Sequence, residues 1–252
     1  MVETMNPYLA SAIIIAVSWL LGYLLGSIPT GVVIGKVFFG KDPRDYYSHN
    51  SGGTNVGRVF GKKVGLICIV IDMLKAAIAL YVSWAVITFT GLQEPMMWFE
   101  GSYNAAPIAY WGAAMMAGIG HCFSVFLKFK GGKAVSCLAG VNVATGWLVP
   151  VTGGLVYLIV RKTKGIVSIA SLLMSCMVVI GHWTMAIIEL TTSFNVGIFT
   201  WSFGFGAMPV FGIESAAAMT VLAILVFVRH IPNIKRLMAG TELKAKVEKV
   251  EN

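Results

Sequence analysis

Hydrophobic positions in this chain fall in long unbroken runs, without the two-residue alternation of barrel strands. Apolar stretches extend from about Tyr8 to Ile34, Val64 to Thr90, Ala105 to Leu127, Ala134 to Val160, Ile166 to Leu190 and Met208 to Val228. A helix needs roughly 20 such residues to cross a bilayer. Hydrocarbon offers no water to a peptide group, so runs of this kind must close their own hydrogen bonds as helices, and an alternating barrel pattern is missing. The pattern predicts an all-α membrane protein folded as one unit over residues 1–252, with six hydropathy peaks. No Lys or Arg precedes the first run, which continues beyond a cleavable length and reads as a retained span.

Charge turns the peaks into a topology. Eighteen of the 19 Lys and Arg residues lie in four patches, 36–63, 128–133, 161–164 and 229–249, with Lys75 the exception. The connections 91–104 and 191–207 carry none. The positive-inside rule therefore puts the four patches in the cytoplasm and the N-terminus outside. The fourth apolar run then has both ends on the cytoplasmic side, which one spanning helix cannot achieve. Gly146 and Pro150 interrupt it, so two short or half-depth helices joined near Val149-Pro150 are expected, buried within the bundle where irregular backbone is covered. The count becomes seven membrane helices, N-terminus outside and C-terminus cytoplasmic.

Composition agrees: 57% of the residues are hydrophobic and 12% charged, and the mean hydropathy is +0.80, values that exclude an ordinary soluble domain. The net charge of +8 suits contact with anionic lipid, or an anionic substrate, and needs no nucleic acid. Cys68, Cys122, Cys137 and Cys176 sit singly in apolar runs and read as packing residues, with no metal site. Asp72 and Lys75, three apart in the second run, read as a pair. His182 and Glu189 are further ionisable groups in or at the end of a span.

Polar residues concentrate in three cytoplasmic stretches. In Ser48-His49-Asn50-Ser51-Gly52-Gly53-Thr54-Asn55-Val56-Gly57-Arg58 the glycines free backbone N–H groups to turn toward one point. Hydroxyls and amides add donors, and Arg58 supplies a permanently charged fork for phosphate oxygens. The stretch reads equally as an anion nest or a flexible connector, and it is not a Walker A loop. In the second stretch, Gly120 to Lys133, Lys128-Phe129-Lys130-Gly131-Gly132-Lys133 sets lysines and a Gly-Gly turn at a helix start, where backbone amides favour an anion. Snorkelling at the interface is the plainer reading of Lys128 or Lys130. The third, Arg229 to Glu242, holds His230 and Asn233 three apart, with Pro232 between them to kink the helix or begin a new one; taken alone it reads as an amphipathic tail on lipid. Ser168 and Ser171 begin the next-to-last run beside Lys162 and Lys164 and are suited to cap the helix or to contact a ligand.

In order and topology these stretches resemble the bacterial acyl-phosphate:glycerol-3-phosphate acyltransferases, a family of small seven-helix membrane enzymes. Gly26-Ser27-Ile28-Pro29 resembles the family's opening motif and Asp42-Pro43-Arg44 its Asp-Ile-Arg. The nest places the family's essential serine at Ser48 and its arginine at Arg58. The Lys-Gly-Gly-Lys segment resembles the glycerol-phosphate loop, Ser168 and Ser171 the Val-Ser-x-x-Ser element, and His230, Asn233, Arg236, Gly240 and Glu242 the C-terminal motif. Tyr47 stands where the family has glycine, Ser124 where proline is common, and Ala134 where glycine follows the lysine; Pro232 intrudes beside the histidine.

The resemblance implies transfer of a fatty acyl group from acyl phosphate to the 1-hydroxyl of glycerol 3-phosphate at the cytoplasmic face of the bacterial inner membrane, the first step of phospholipid synthesis, with no cofactor. Ser48, Arg58, His230 and Asn233 are its implied catalytic residues. Asn50, Gly52, Gly53, Thr54, Asn55, Lys130, Gly131, Gly132, Lys133, Ser168 and Ser171 are implied to hold the two substrates. An enzyme that supplies acyl phosphate and the membrane lipids are the implied partners. The His-x-x-x-x-Asp pair of other lipid acyltransferases is missing, since none of the four histidines has Asp five positions on. A transporter of a phosphorylated solute is the alternative, though no matching pair of interrupted helices marks an inverted repeat. A phosphatidyl-alcohol transferase would need an Asp-rich metal cluster, which Asp42, Asp45 and Asp72 do not supply.

Overall fold

The computed structural model describes residues 6–201 and 210–244. The chain forms α1 (Pro7–Ser27), α2 (Thr30–Phe39), α3 (Gly53–Phe60), α4 (Lys62–Phe89), a small hairpin of β1 (Met97–Trp98) and β2 (Tyr103–Asn104), then α5 (Ala106–Cys122), α6 (Val135–Thr145), α7 (Leu148–Lys164), α8 (Val167–Thr191), α9 (Ile213–Arg229) and α10 (Ile231–Met238). The hairpin, with Met97 opposite Asn104 and Trp98 opposite Tyr103, is an addition to the expected all-helical architecture. Among the described residues four helical segments are long and apolar enough to cross a membrane: Pro7–Phe39, Lys62–Phe89, Ala106–Leu127 and Val167–Thr191. A fifth is obtained if α9 and α10, bent by 50°, are taken as one span. The protein is a multi-pass membrane protein.

α5 is the axis of the bundle, with 67% of its most apolar window buried, against 22–44% for the other three segments. Its small residues explain how. In lipid, helices associate by close packing rather than by removal of apolar surface from water, so small side chains are favoured at contacts. A Cβ at Gly22 or Gly26 of α1 would collide with the Ala113 or Ala117 carbonyl of α5. Leu80, Leu138, Met219, Leu222 and Val226 close the other sides of the core.

Two helix breaks shape the bundle. The chain leaves α1 through Ile28 and Pro29, whose missing N–H suits the start of α2. Farther on, the fourth apolar run is two helices, as expected, but the break lies at Gly146-Trp147, before Val149-Pro150, and α7 is not buried within the bundle as expected: Val151, Leu155, Leu158 and Ile159 are exposed on its outer face. Pro150 sits in the first turn of α7, where its missing donor leaves no gap in the ladder. Gly146 is extended and bridges to Thr200; Trp147 N–H donates to the Phe199 carbonyl (3.1 Å) and Trp201 N–H to the Thr145 carbonyl (3.3 Å). The 196–201 segment thus satisfies backbone exposed at the break, which hydrocarbon would leave unpaired. At 11 residues α6 is about 16 Å long. The far ends of both α6 and α7 return to one cavity.

Candidate active site

At the end of the bundle carrying the basic patches, a cavity of about 320 Å³ is lined by the 48–58 stretch, Lys133, the last turns of α7, the start of α8, His230, Asn233 and Glu242. Its inner wall is apolar, formed by Ile69, Val135, Ala139 and Met174.

The loop before α3 is held by Asn55. The side chain of Asn55 is 1% exposed; its Nδ2 lies within hydrogen-bond reach of the Pro43 (2.7 Å), Tyr46 (3.2 Å) and Asn50 (2.9 Å) carbonyls. Its Oδ1 accepts from both the Ser48 N–H (3.1 Å) and the Ser48 hydroxyl (2.9 Å). Below it, Arg44 forms a two-pronged bond to Asp42, through Nε (3.0 Å) and Nη2 (2.7 Å). The loop is therefore a built structure and not a flexible connector. Its tight path puts Tyr47 and His49 in the left-handed region, at φ of 49° and 52°.

Arg58, on α3, reaches the Lys244 carbonyl (3.4 Å) through Nη2, while its buried Nε has no hydrogen-bond partner among the described residues. Burial pushes its guanidinium below the ordinary arginine value, with Glu242 opposing, and an arginine so shifted is still charged. Lys133 donates to Asn233 Oδ1 (2.5 Å). Burial is the main cause that brings the Lys133 ammonium down to about 8; Arg236, Arg58 and Arg229 add to it and Glu242 opposes it.

Glu242 joins the C-terminal segment to the site. It accepts from Asn233 Nδ2 (2.5 Å), Ser168 Oγ (2.9 Å) and Arg236 Nε (2.8 Å). Burial would raise its carboxyl, but these hydrogen bonds outweigh that and hold it below the usual range. His230 caps α9; its ring Nδ1 lies 2.7 Å from the Val226 carbonyl, which requires Nδ1–H and leaves Nε2 as the acceptor in the neutral ring. Pro232 occupies the first turn of α10, so it starts a new helix.

The cavity therefore combines a cluster of cations with hydroxyl, amide and apolar side chains. A family model described as glycerol-3-phosphate acyltransferase matches residues 16–240. The chain belongs to this family. A glycerol-3-phosphate acyltransferase of Mycoplasmopsis synoviae is 33% identical over 251 residues, 97% of this chain and 100% of that one. Another, of Enterococcus faecalis, is 33% identical over 90% of each. The fold is similar to the crystal structure of PlsY, an integral membrane glycerol 3-phosphate acyltransferase, in its glycerol 3-phosphate form, with a TM-score of 0.68 and 27% identity over 91% of this chain and 94% of that one. The lysophosphatidic acid form of PlsY gives a TM-score of 0.66 at 25% identity over the same shares.

Of the residues that the resemblance implies, Ser48, Asn50, Gly52, Gly53, Thr54, Asn55, Arg58, Lys133, Ser168, Ser171, His230 and Asn233 line the cavity. Lys130 does not: it is exposed, on a turn whose Lys128 and Phe129 have φ of 52° and 62°. Gly131 and Gly132 also lie off the lining. Their N–H groups donate to the Cys122 (2.9 Å) and His121 (2.8 Å) carbonyls, so these amides are not turned toward an anion. Sequence reasoning left Tyr157, Arg161 and His121 out of the lining. Arg161 belongs to the 161–164 basic patch, yet it stands four residues after Tyr157, hence on the same helix face. It also precedes a turn whose Gly165 at φ 68° folds α8 back alongside α7. Among the expected pairings, Asp72 and Lys75 do pair, at 2.9 Å. All four cysteines are free thiols. His182 lies within the bundle, 3.0 Å from Asn142 Oδ1 and away from the cavity lining.

Proposed function

We propose that this protein is a seven-helix enzyme that transfers a fatty acyl group from acyl phosphate to the 1-hydroxyl of glycerol 3-phosphate, yielding lysophosphatidate and inorganic phosphate. We place its active site at the cytoplasmic face of the bacterial inner membrane. The observation that carries the reading is the single cavity joining Arg58, Lys133 and Arg161 to an apolar wall. Both substrates pair a phosphate with a neighbouring carbon chain or alcohol, and only the donor and the product carry a chain that belongs in lipid.

In this reading Arg58, whose Nε has no partner among the described residues, and Lys133 hold phosphate oxygens, and their charge stabilises the oxyanion that develops on the acyl carbonyl. Holding donor and acceptor side by side supplies the proximity contribution. The acceptor oxygen bonds to the acyl carbon, the bond from that carbon to the phosphate oxygen breaks, and phosphate leaves. The proton of the attacking hydroxyl goes to His230 Nε2 or to the departing phosphate. Ser48 acts by positioning, not as a covalent nucleophile: its hydroxyl is donated to an amide oxygen and not to a base.

Purified protein supplied with acyl phosphate and glycerol 3-phosphate, without added metal, is expected to release phosphate and form lysophosphatidate in equal amounts. Activity with acyl-CoA or acyl carrier protein alone would move the donor assignment. Full activity in Arg58→Ala would sink the phosphate-holding role.

A further inference from the structure

A second polar cluster reaches from inside the bundle to the cavity, which it meets at His121; charge buried there is expensive and calls for a reason. Asp72 and Lys75 on α4 form an ion pair of 2.9 Å with side chains only 1% and 5% exposed. Lys75 also donates to the Ile28 carbonyl (3.1 Å), at the break between α1 and α2, and to His121 Nδ1 (2.9 Å). The Thr30 hydroxyl donates to Asp72 Oδ1 (2.8 Å). His121 Nδ1 also lies 3.5 Å from Asp72 Oδ1, so the ring faces both members of the pair.

His121 carries the Gly131-Gly132 turn. Its carbonyl accepts from the Gly132 N–H, the neighbouring Cys122 carbonyl accepts from the Gly131 N–H, and a Cβ on Gly132 would collide with His121 Nε2. From the opposite side Arg229 holds the Gly132 carbonyl through Nε (3.1 Å) and the Gly131 carbonyl through Nη2 (3.0 Å). The next residue is Lys133, whose ammonium meets Asn233 at the cavity.

A buried ion pair adds little net stability, because desolvation offsets most of its attraction; its clearer effect here is geometric. We infer that Asp72, Lys75 and His121 are positioning residues: the buried pair locks the His121 ring, the ring seats Gly132, and the seated turn places Lys133 in the cavity. The inference rests on the phosphate-binding role of Lys133 given under Proposed function.

A double-mutant cycle on purified protein in lipid tests it, with glycerol 3-phosphate binding measured directly and KM and kcat alongside. His121→Asn retains an amide oxygen to accept from Lys75 but withdraws the ring edge, and Gly132→Ala sets a methyl against that edge. Each alone is expected to weaken binding and raise KM about tenfold, with a smaller change in kcat and a Tm within a few degrees of the parent. In the double variant the methyl has room, so the loss stays near tenfold and does not approach a hundredfold. Losses that multiply, or unchanged binding in His121→Asn, overturn the inference.

Should His121→Asn fail to fold, the charge-free Asp72→Asn/Lys75→Met variant takes its place in the cycle. Removal of a buried pair as a unit is tolerated far better than loss of one partner, and the same non-multiplying pattern is expected. Wild-type protein that binds no glycerol 3-phosphate would contradict the function reading instead, and the cycle is then read with inorganic phosphate as the probe, under the same criteria.

Discussion

Lys133 is the residue whose chemistry most depends on its surroundings. As one lysine in a basic loop it would be charged throughout the physiological range, but burial brings it down to about 8. Its charge is therefore present below about pH 8 and lost above it. Above about pH 7 a substrate phosphate monoester is already dianionic, so kcat/KM for glycerol 3-phosphate is expected to fall as pH rises through about 8, and Lys133→Arg to flatten that fall because arginine stays charged. A parent profile flat to about pH 10 would remove Lys133 from phosphate binding. Stability runs the other way: the depressed lysine disfavours the folded state at neutral pH, and that cost is relieved as pH rises from about 8 toward the ordinary lysine value. The lysine itself was legible in the motif; its depression was not, because it requires the packing around it and the approach of Arg58, Arg229 and Arg236, which are distant in the sequence.

The loop elements show how a departure from a family pattern is absorbed. Tyr47 and Ala134, which stand where the resemblance expects glycine, are both in the left-handed region, at φ of 49° and 59°. Ser124, in place of proline, has φ of −63°, the value a proline ring would impose, and its hydroxyl donates to the Ser27 carbonyl (2.5 Å). The backbone path is thus retained at some cost in strain. Left-handed geometry costs a residue with a Cβ roughly 1–2 kcal/mol, and glycine gives back about 0.5–1 kcal/mol in unfolded-chain entropy. Tyr47, 39% exposed, has little packing to lose, so Tyr47→Gly is expected to stabilise by up to about 1 kcal/mol, seen as a Tm rise of roughly 2–4 °C. Ala134 is fully buried, and the lost methyl, worth about 0.8 kcal/mol, should leave Ala134→Gly near neutral. A lower Tm for Tyr47→Gly would show that its side chain holds the loop. The helix break at Gly146 follows the same logic: sequence marks both Gly146 and Pro150 as interruptions, but only the 196–201 segment, which pairs with the backbone there, selects between them.

At the scale of the whole molecule, the proposed orientation is the prediction that binds the rest. A C-terminal reporter active only in the cytoplasm is expected to be active, and the same reporter inserted after Ser193 silent; the opposite result would place the cavity on the outer face and remove it from contact with cytoplasmic substrates. Apolar runs, basic patches and the local motifs can be read along the chain because membrane insertion acts on segments: each run meets lipid and each short loop meets the charge rule nearly independently. Convergence cannot be read that way. Glu242 receives Ser168 from 74 residues away and Arg161 shares the lining with Arg58 and Lys133, contacts between residues far apart in the chain, while the shorter-range bonds of Glu242 with Asn233 and Arg236, and of Gly131 and Gly132 with Cys122 and His121, depend on how the intervening turns fold. Read along the chain, the residues specify a lipid-embedded helical bundle with polar and cationic side chains gathered in three loops. Only the tertiary structure decided which of those groups share a cavity and which are spent on holding it, since hydrogen-bonding capacity is set by residue type whereas its allocation depends on which helices pack together.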